Sequence, residues 1–511
     1  MKEGKRKGYE QRETDRRLTR KREKMEMSRK ERREADQKDR KKAREKRARN
    51  KEFARVTYIF VALFLGMMGY IAYFQAARSE EFIQSPYNAR KDSYADRVVR
   101  GDILDGQGRV LARTQVSEDG TETREYPYGN MFAHVLGYCD HGKSGLESVE
   151  NFNLLTSNAF FLEKLKNEFQ GQKHKGDSVV TTLNLDLQQA AYDAMGSRKG
   201  AVVVMEPSTG KILTMLSKPD FDPNTAAADW EALNADDTGV LLNRATQGQY
   251  APGSTFKMIT TLEFMREDPG YIDYSYDCSG AIEENGSTIH CYGGKVHGHV
   301  SLTDSVAYSC NTSFCNIGRS LDTASFKNTA RELLFDSKLP SVLPYSKSKC
   351  FPNEGVGSVE KMATAMGQGK TQVSPYHMAL ITCAIANGGV LMKPYLTDSI
   401  TNYSGQEIKK NLPEEYKTLM AVEEAAQLKQ YMTSVVDYGT ASPVLGGQSY
   451  TAAGKTGTAE YSSDKEKDHS WFIGMTNIEN PELVISVIIE SADGEASAVN
   501  VAKQVFDAYY R

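Results

Sequence analysis

Residues 249–260 read QYAPGSTFKMIT. A Pro-Gly kink comes first, then Ser254, then Lys257 at the head of an apolar run. Proline and glycine punctuate the chain, and the apolar residues that follow recur at helical spacing. The stretch therefore predicts a helix N-terminus at Ser254, with Lys257 one turn on and on the same face. A serine hydroxyl is a poor nucleophile until a base takes its proton. The free amides and positive end of a helix can stabilise the oxyanion that forms after attack. Lysine serves as that base only if its pKa falls from about 10.4 toward neutrality. Burial lowers it, and a second ammonium lowers it further. Two charges about 5 Å apart at an effective dielectric near 20 repel by roughly 3 kcal/mol, about two pKa units. The pair thus calls for another cation and a polar relay elsewhere in the chain.

A Ser-x-x-Lys pair alone is weak. Ser208/Lys211, Ser346/Lys349, Ser358/Lys361 and Ser462/Lys465 have the same spacing, but they sit in a hairpin turn or in polar stretches and read as surface. AYSCNTSF, residues 307–314, supplies Ser309 and Asn311 in the chain's one Ser-x-Asn. YTAAGKTGTAEY, residues 450–461, supplies Lys455, Thr456, Gly457 and Thr458. Lys455 can be the second cation. A residue as small as Gly457 lets a substrate backbone lie close and pair as an added strand. A competing Lys-Ser-Gly at Lys143–Gly145 lies in a loop-like stretch ahead of Ser254.

The ends of the chain set its context. Residues 1–50 hold 23 Lys or Arg against 11 Asp or Glu, although the whole chain has a formal net charge of −3. Such a segment cannot bury enough surface to fold alone and reads as a solvated helix or a disordered tail. A basic arm also suits nucleic acid, but the next segment favours membrane topology. VTYIFVALFLGMMGYIAYFQAA, residues 56–77, carries no charge. At about 1.5 Å per residue it is long enough to cross a bilayer, and Tyr70 and Tyr73 suit an interfacial belt. The basic flank predicts a cytoplasmic N-terminus, with everything after Arg78 outside. A cleaved signal peptide fits less well, because the run is long and begins some fifty residues in.

Past the span, RVVRGDILDGQGRVLA (97–112) reads as short strands around a Gly-rich turn. A composition shift near Asp177 opens a strand and a capped helix, SVVTTLNLDLQQAAYDAM (178–195). GAVVVMEPSTGKILTML (200–216) reads as a hairpin. SPYHMALITCAIANGG (374–389) reads as a helical pattern closed by a glycine pair. Strands return at HSWFIGMT (469–476) and LVISVIIES (483–491), and a helix ends the chain. Strands at both ends with helices between predict an α+β domain with one antiparallel sheet and helices on both faces. The expected organisation is a basic tail at 1–55, a transmembrane helix at 56–77, a small, mostly β juxtamembrane pedestal at 78–175 and a catalytic domain at 176–511.

Seven cysteines lie beyond the span, so at least one is unpaired within the chain. Cys278 and Cys291 bracket a short polar loop and are the expected disulfide. His290, His297 and His299 lie near them, but the spacing matches no structural zinc pattern and no HExxH occurs, so no metal is expected. No cofactor is expected either.

Ser-x-x-Lys, Ser-x-Asn and Lys-Thr-Gly together resemble the motif set of β-lactamases and penicillin-binding proteins. The likeness runs wider, through LLNRATQGQYAPGSTFK, SVAYSCNTSF, MGQGKTQVSPYHMALITCAIANGG, AAGKTGTAE and HSWFIGMTN in the family's order, and through RGDILDGQGRVLA and GKSGLE in the juxtamembrane half. From about residue 85 onward the chain resembles a class B penicillin-binding protein, a peptidoglycan D,D-transpeptidase. The resemblance implies that Ser254 attacks the penultimate D-Ala of a stem peptide, with Lys257 as base. It implies that Ser309 relays protons, that Asn311 holds the substrate amide and that Lys455 tunes the electrostatics. Thr456 and Thr458 would bind the substrate carboxylate beside Gly457, and the backbone N–H groups of Ser254 and Thr458 would form the oxyanion hole. β-Lactams would acylate the same serine. Cys310 replaces the aspartate found at the motif's centre in some relatives and is expected to pack away from substrate. The implied partners are peptidoglycan stem peptides or their lipid-linked precursor, a SEDS-type polytopic glycosyltransferase and other cell-wall synthesis proteins; the short pedestal would reduce the glycosyltransferase contacts. Serine β-lactamases and D,D-carboxypeptidases share the nucleophile but pass the acyl group to water. The anchor, pedestal and surrounding blocks favour transpeptidation over these, over a β-lactam-sensing receptor and over an inactive scaffold.

Overall fold

The computed structural model describes residues 2–26, 29–77, 97–158, 173–351, 355–459, 468–492 and 497–511. The expectations for Ser462/Lys465 and for the start of the pedestal, residues 78–96, lie outside these. The chain divides into two units, Met1–Ile83 and Gln84–Arg511.

In the first unit, the tail is helical over Lys2–Glu26, and a second helix runs Arg29–Ala77. Its uncharged half exposes Ile59, Phe60, Leu63 and Phe64. By length and composition this helix can cross a membrane.

The second unit is built on two sheets. The larger has five antiparallel strands in the order Ala452–Ala459, His469–Thr476, Val484–Ile489, Gly200–Met205 and Ile212–Lys218. The last two form the expected hairpin. Strands Gly200–Met205 and Val484–Ile489 are buried at every residue, so both faces of the sheet are covered. Helix Pro375–Ala386 packs on the central strands, and helices Leu185–Met195 and Ala498–Tyr509 pack on each other and on the sheet. Pro375–Ala386 is buried at all of its residues, which matches its apolar sequence. Ser374 caps it by accepting from the His377 N–H, Pro375 fills the first turn, and Gly388 and Gly389 leave it at positive φ. The Asn184 side chain caps Leu185–Met195 by accepting from the N–H groups of Asp186 and Leu187.

The smaller sheet runs Glu407–Lys410, Thr397–Thr401, Ser178–Thr181, Ile103–Leu104, Val110–Val116 and Glu122–Glu125. Ser178–Thr181 opens the stretch expected to be catalytic, yet it pairs in parallel with the pedestal strand Ile103–Leu104. The two regions thus share a sheet instead of meeting at a linker. A buried ion cluster fixes this end of the molecule. Arg100 Nε donates to Glu147 Oε2 at 2.6 Å, and Arg124 Nε donates to Glu147 Oε1 at 2.8 Å. Arg124 Nη1 also donates to the Gly101 carbonyl at 2.7 Å. This explains the RGD and GLE blocks: a carboxylate removed from water needs its charge matched and its lone pairs filled.

Candidate active site

Ser254 lies in a single 3-10 turn, Gly253–Phe256, and the α-helix proper begins at Lys257 and runs to Glu267. The expected helix N-terminus therefore sits one turn later than the sequence suggests. The cause is Gly253, whose φ of +55° bends the entry. A Cβ on Gly253 would stand 2.6 Å from the Thr458 carbonyl oxygen, so only glycine lets this turn touch the Lys-Thr-Gly strand. Gly253 N–H also donates to the Gly367 carbonyl at 2.9 Å. On the other side, the Trp471 indole donates to the Ala251 carbonyl at 3.0 Å and pins the loop to the neighbouring strand.

Lys257 is fully buried, whereas Ser254 is half-buried and faces a cleft. The Lys257 Nζ donates to the Ser309 carbonyl at 2.7 Å, to Ser309 Oγ at 3.2 Å and to Asn311 Oδ1 at 2.7 Å. The other described Ser-x-x-Lys lysines differ. Lys349 is exposed, Lys211 faces Asp398 at 3.5 Å, and Lys361 donates to the Leu321 carbonyl at 2.6 Å.

Ser309 adopts φ +57°, a left-handed conformation uncommon for a residue with a side chain. It joins helix Leu302–Ala307 to helix Asn311–Ser320. A capping box of Ser301 and Asp304 fixes the first helix, and the Cys310 N–H donates back to Ser305 O at 2.9 Å. The strained turn aims Ser309 Oγ at both lysines: Lys455 Nζ donates to it at 2.9 Å and to the Thr456 carbonyl at 2.9 Å. Lys455 is also fully buried. Burial brings Lys257 down to about 8. Burial, and then the nearby Lys257 ammonium, hold Lys455 well below the ordinary lysine range. The cost of two adjacent cations thus falls on Lys455, where the sequence reading placed it on Lys257.

The cleft encloses about 250 Å³ and is lined by Ser254, Ser309, Asn311, Thr456, Gly457 and Thr458, together with Gln368 and Thr440. All eight residues expected from the sequence are therefore at or directly behind it. Among the described residues Ala452–Ala459 pairs with one strand only, which makes it an edge of the sheet. Gln368 and Thr440 are additions. Gln368 Nε2 donates to the Thr458 carbonyl at 3.3 Å, and the Thr440 and Thr456 hydroxyls are 2.6 Å apart. Neither carries a motif of its own; Gln368 follows Gly367, whose close approach to the Gly253 carbonyl explains the MGQGK block.

Beside the cleft, the expected Cys278–Cys291 disulfide is corrected: both thiols are free, with their sulfurs 3.7 Å apart. The reason is a wider convergence. Cys278 Sγ also faces His297 Nδ1 at 3.4 Å, and Cys291 Sγ faces Cys310 Sγ at 3.8 Å. His299 lies apart, against Asp277 at 2.9 Å. Cys310 is buried, turned from the cleft as expected.

Comparison with known proteins places this geometry. The penicillin binding protein transpeptidase domain matches residues 200–511, and the penicillin binding protein A dimerisation domain matches residues 100–179. The peptidoglycan D,D-transpeptidase PbpA of Mycolicibacterium smegmatis is 31% identical over 479 residues, covering 89% of this chain and 96% of that protein. Stage V sporulation protein D of Bacillus subtilis is 30% identical over 75% of this chain and 62% of its own length. Among solved structures, the penicillin G acyl-enzyme complex of penicillin-binding protein A from M. tuberculosis superposes with a TM-score of 0.72 at 30% identity, over 81% of this chain and 99% of that one. The D,D-transpeptidase domain of a peptidoglycan glycosyltransferase from Eggerthella lenta gives 0.72 at 32% identity, over 81% and 98%. The chain belongs to the penicillin-binding protein transpeptidase family.

Proposed function

We propose that the chain is a membrane-anchored peptidoglycan D,D-transpeptidase that cross-links stem peptides through an acyl-enzyme on Ser254 and is acylated there by β-lactams. The observation that carries this reading is the bridging of Lys257 and Lys455 through Ser309 Oγ, behind the cleft that Ser254 lines. In the arrangement described, the Lys257 ammonium spends all three N–H groups on Ser309 and Asn311. On losing a proton it keeps two donors and gains a lone pair, which can take the Ser254 proton as Oγ attacks the penultimate D-Ala carbonyl. The N–H groups of Ser254 and Thr458 receive the developing oxyanion; the contact that Gly253 makes with the Thr458 carbonyl supports their proximity. Collapse breaks the peptide bond, and the departing D-Ala amine takes its proton from Lys257 by way of the Ser309 hydroxyl. An amine from a neighbouring stem then attacks the ester and frees Ser254. Thr456 and Thr458 bind the substrate carboxylate, Asn311 holds its amide, and Gly457 leaves room for its backbone.

We assign residues 1–55 to a cytoplasmic tail, 56–77 to the span, 78–175 to the pedestal and 176–511 to the transpeptidase domain. The basic flank supports a cytoplasmic N-terminus and an extracytoplasmic catalytic domain. A SEDS-type glycosyltransferase is the proposed membrane partner, consistent with family membership and with a helix whose apolar side chains are exposed.

The test supplies a synthetic pentapeptide stem and an amine acceptor to the full chain in detergent. Released D-Ala with a joined product supports the reading. Steady turnover of a β-lactam by hydrolysis, without joined product, overturns it in favour of a lactamase.

A further inference from the structure

A second cavity has a volume of about 710 Å³ and shares no lining residue with the catalytic cleft. Its walls are basic. Lys327 and Arg331 line it from helix Thr323–Glu332, four residues apart and so on one face. Lys349 and Lys370 line it from two segments laced together by backbone. The Lys349 N–H donates to the Gln372 carbonyl at 2.8 Å, and the Gln372 N–H returns to the Lys349 carbonyl at 2.9 Å. Asp336 is the one carboxylate among the lining residues. Beyond its basic tail the chain is net acidic, because the total of −3 includes the tail's excess of Lys and Arg. Four cations around one cavity therefore run against the balance of the rest of the chain.

Arg331 and Lys349 are exposed, and among the described residues neither has an ion-pair partner. Lys370 lies over the Phe351 ring, 4.8 Å from its centroid, and reaches the partly exposed Glu360 at 2.9 Å. An ion pair so open to water is weak and is readily traded for a stronger anion.

We propose that this cavity binds a phosphate-bearing polyanion, with Arg331, Lys349 and Lys370 as its contacts. A single carboxylate would answer only one of the cations. A phosphate group offers several acceptor oxygens to donors arriving from different sides. The planar guanidinium of Arg331 meets two of them in parallel, and the lysines act as point charges beside it. A lipid-linked diphosphate and a wall polymer of phosphodiesters both present this chemistry.

The site has a route to the catalytic cleft. Lys370 and Gly369 directly follow Gln368, whose side chain donates to the Thr458 carbonyl at 3.3 Å. Gln368 sits between Gly367 and Gly369, both at positive φ, 87° and 86°. Two such glycines leave the segment much freedom to lose. An anion held between Lys370 and Lys349 restrains it from the far end, and so steadies Gln368 against the Lys-Thr-Gly strand.

The test is calorimetric titration of the full chain in detergent at about 0.15 M salt, where loose charge attraction is screened. The probes are inorganic pyrophosphate, synthetic poly(glycerol phosphate) and citrate. At least one of the two phosphates should bind with a Kd below about 1 mM, and citrate at least about tenfold more weakly. The tighter of the two phosphates identifies the source. The Arg331→Gln/Lys349→Gln double variant, which removes no partnered side chain, should bind at least about tenfold more weakly. Lys338→Gln, outside the lining, should bind as wild type. The site is overturned if neither phosphate binds below about 1 mM, if citrate binds as tightly, or if the double variant binds as wild type. Binding is read without acylation, so its failure is separate from failure of the transpeptidase reading. Saturating phosphate ligand should also raise the benzylpenicillin acylation rate at least about twofold in the wild-type chain and leave the double variant unchanged. An unchanged wild-type rate overturns the coupling to the cleft.

Discussion

Lys455 Nζ lies 2.9 Å from Ser309 Oγ. Lys257 Nζ lies 3.2 Å from the same oxygen, so the two nitrogens are no more than about 6 Å apart. At that distance two ammoniums repel by roughly 3 kcal/mol at an effective dielectric near 20. Both side chains are also removed from water. Burial and the neighbouring ammonium therefore both oppose a second charge on the pair, and Lys455 is held well below the ordinary lysine range. One hydroxyl, touching both, connects them and gives the proton a route.

The pH dependence of acylation follows. In the proposed mechanism the base is the neutral amine of Lys257, which burial brings down to about 8. The second-order rate of benzylpenicillin acylation should rise with pH, about tenfold per unit below this value, and level off above it. Stopped-flow measurement from pH 6 to 10 checks this. A rate that is flat across pH 7 to 9 contradicts the assignment of Lys257 as base.

Lys257→Met keeps the volume and the apolar stem but removes the proposed base. Acylation should fall by about 10²–10⁴. The melting temperature should change little, because the substitution also removes a buried cation. A variant that retains acylation within about threefold of wild type would show that another group takes the proton.

Gly253→Ala puts a methyl group 2.6 Å from the Thr458 carbonyl oxygen and forces alanine to φ +55°. The conformation alone costs about 1–2 kcal/mol. Relief requires the Ser254 turn to move off the strand, and a misplacement of about 1 Å should slow acylation by about 10². Acylation kinetics and a crystal structure of the variant test both parts.

Glu147→Gln probes the pedestal. Arg100 and Arg124 would remain buried without their carboxylate, at a cost of about 3–5 kcal/mol in unfolding free energy. None of Arg100, Arg124 and Glu147 lines the Ser254 cleft, so acylation per folded molecule should stay within about twofold of wild type. Denaturant unfolding and active-site titration separate the two effects.

Local patterns in the chain sufficed for much of this architecture. The hairpin at 200–216, the helix Pro375–Ala386 and the antiparallel pairing of the larger sheet follow from period, caps and turns. The residues that converge at the cleft were legible for a different reason: each sits in a short motif whose residue types are chemically constrained. What the sequence hid depends on contacts between distant segments. Ser178–Thr181 reads as the start of the catalytic domain because its composition shifts there, but hydrogen bonding to Ile103–Leu104 assigns it to the other sheet. Gln368 and Thr440 act through one backbone carbonyl and one hydroxyl, and no spacing announces such pairings. Cys278 and Cys291 read as a disulfide because they are near in sequence. Cys310 joins them only through the turn at Ser309.

The most direct test is the intact mass of the full chain after exposure to benzylpenicillin, beside a Ser254→Ala control. The account predicts a single long-lived penicilloyl adduct on the wild-type chain, mapped to the peptide that carries Ser254, and none on the variant. An adduct that persists on Ser254→Ala, or a correctly folded wild-type chain that takes up none, would contradict it.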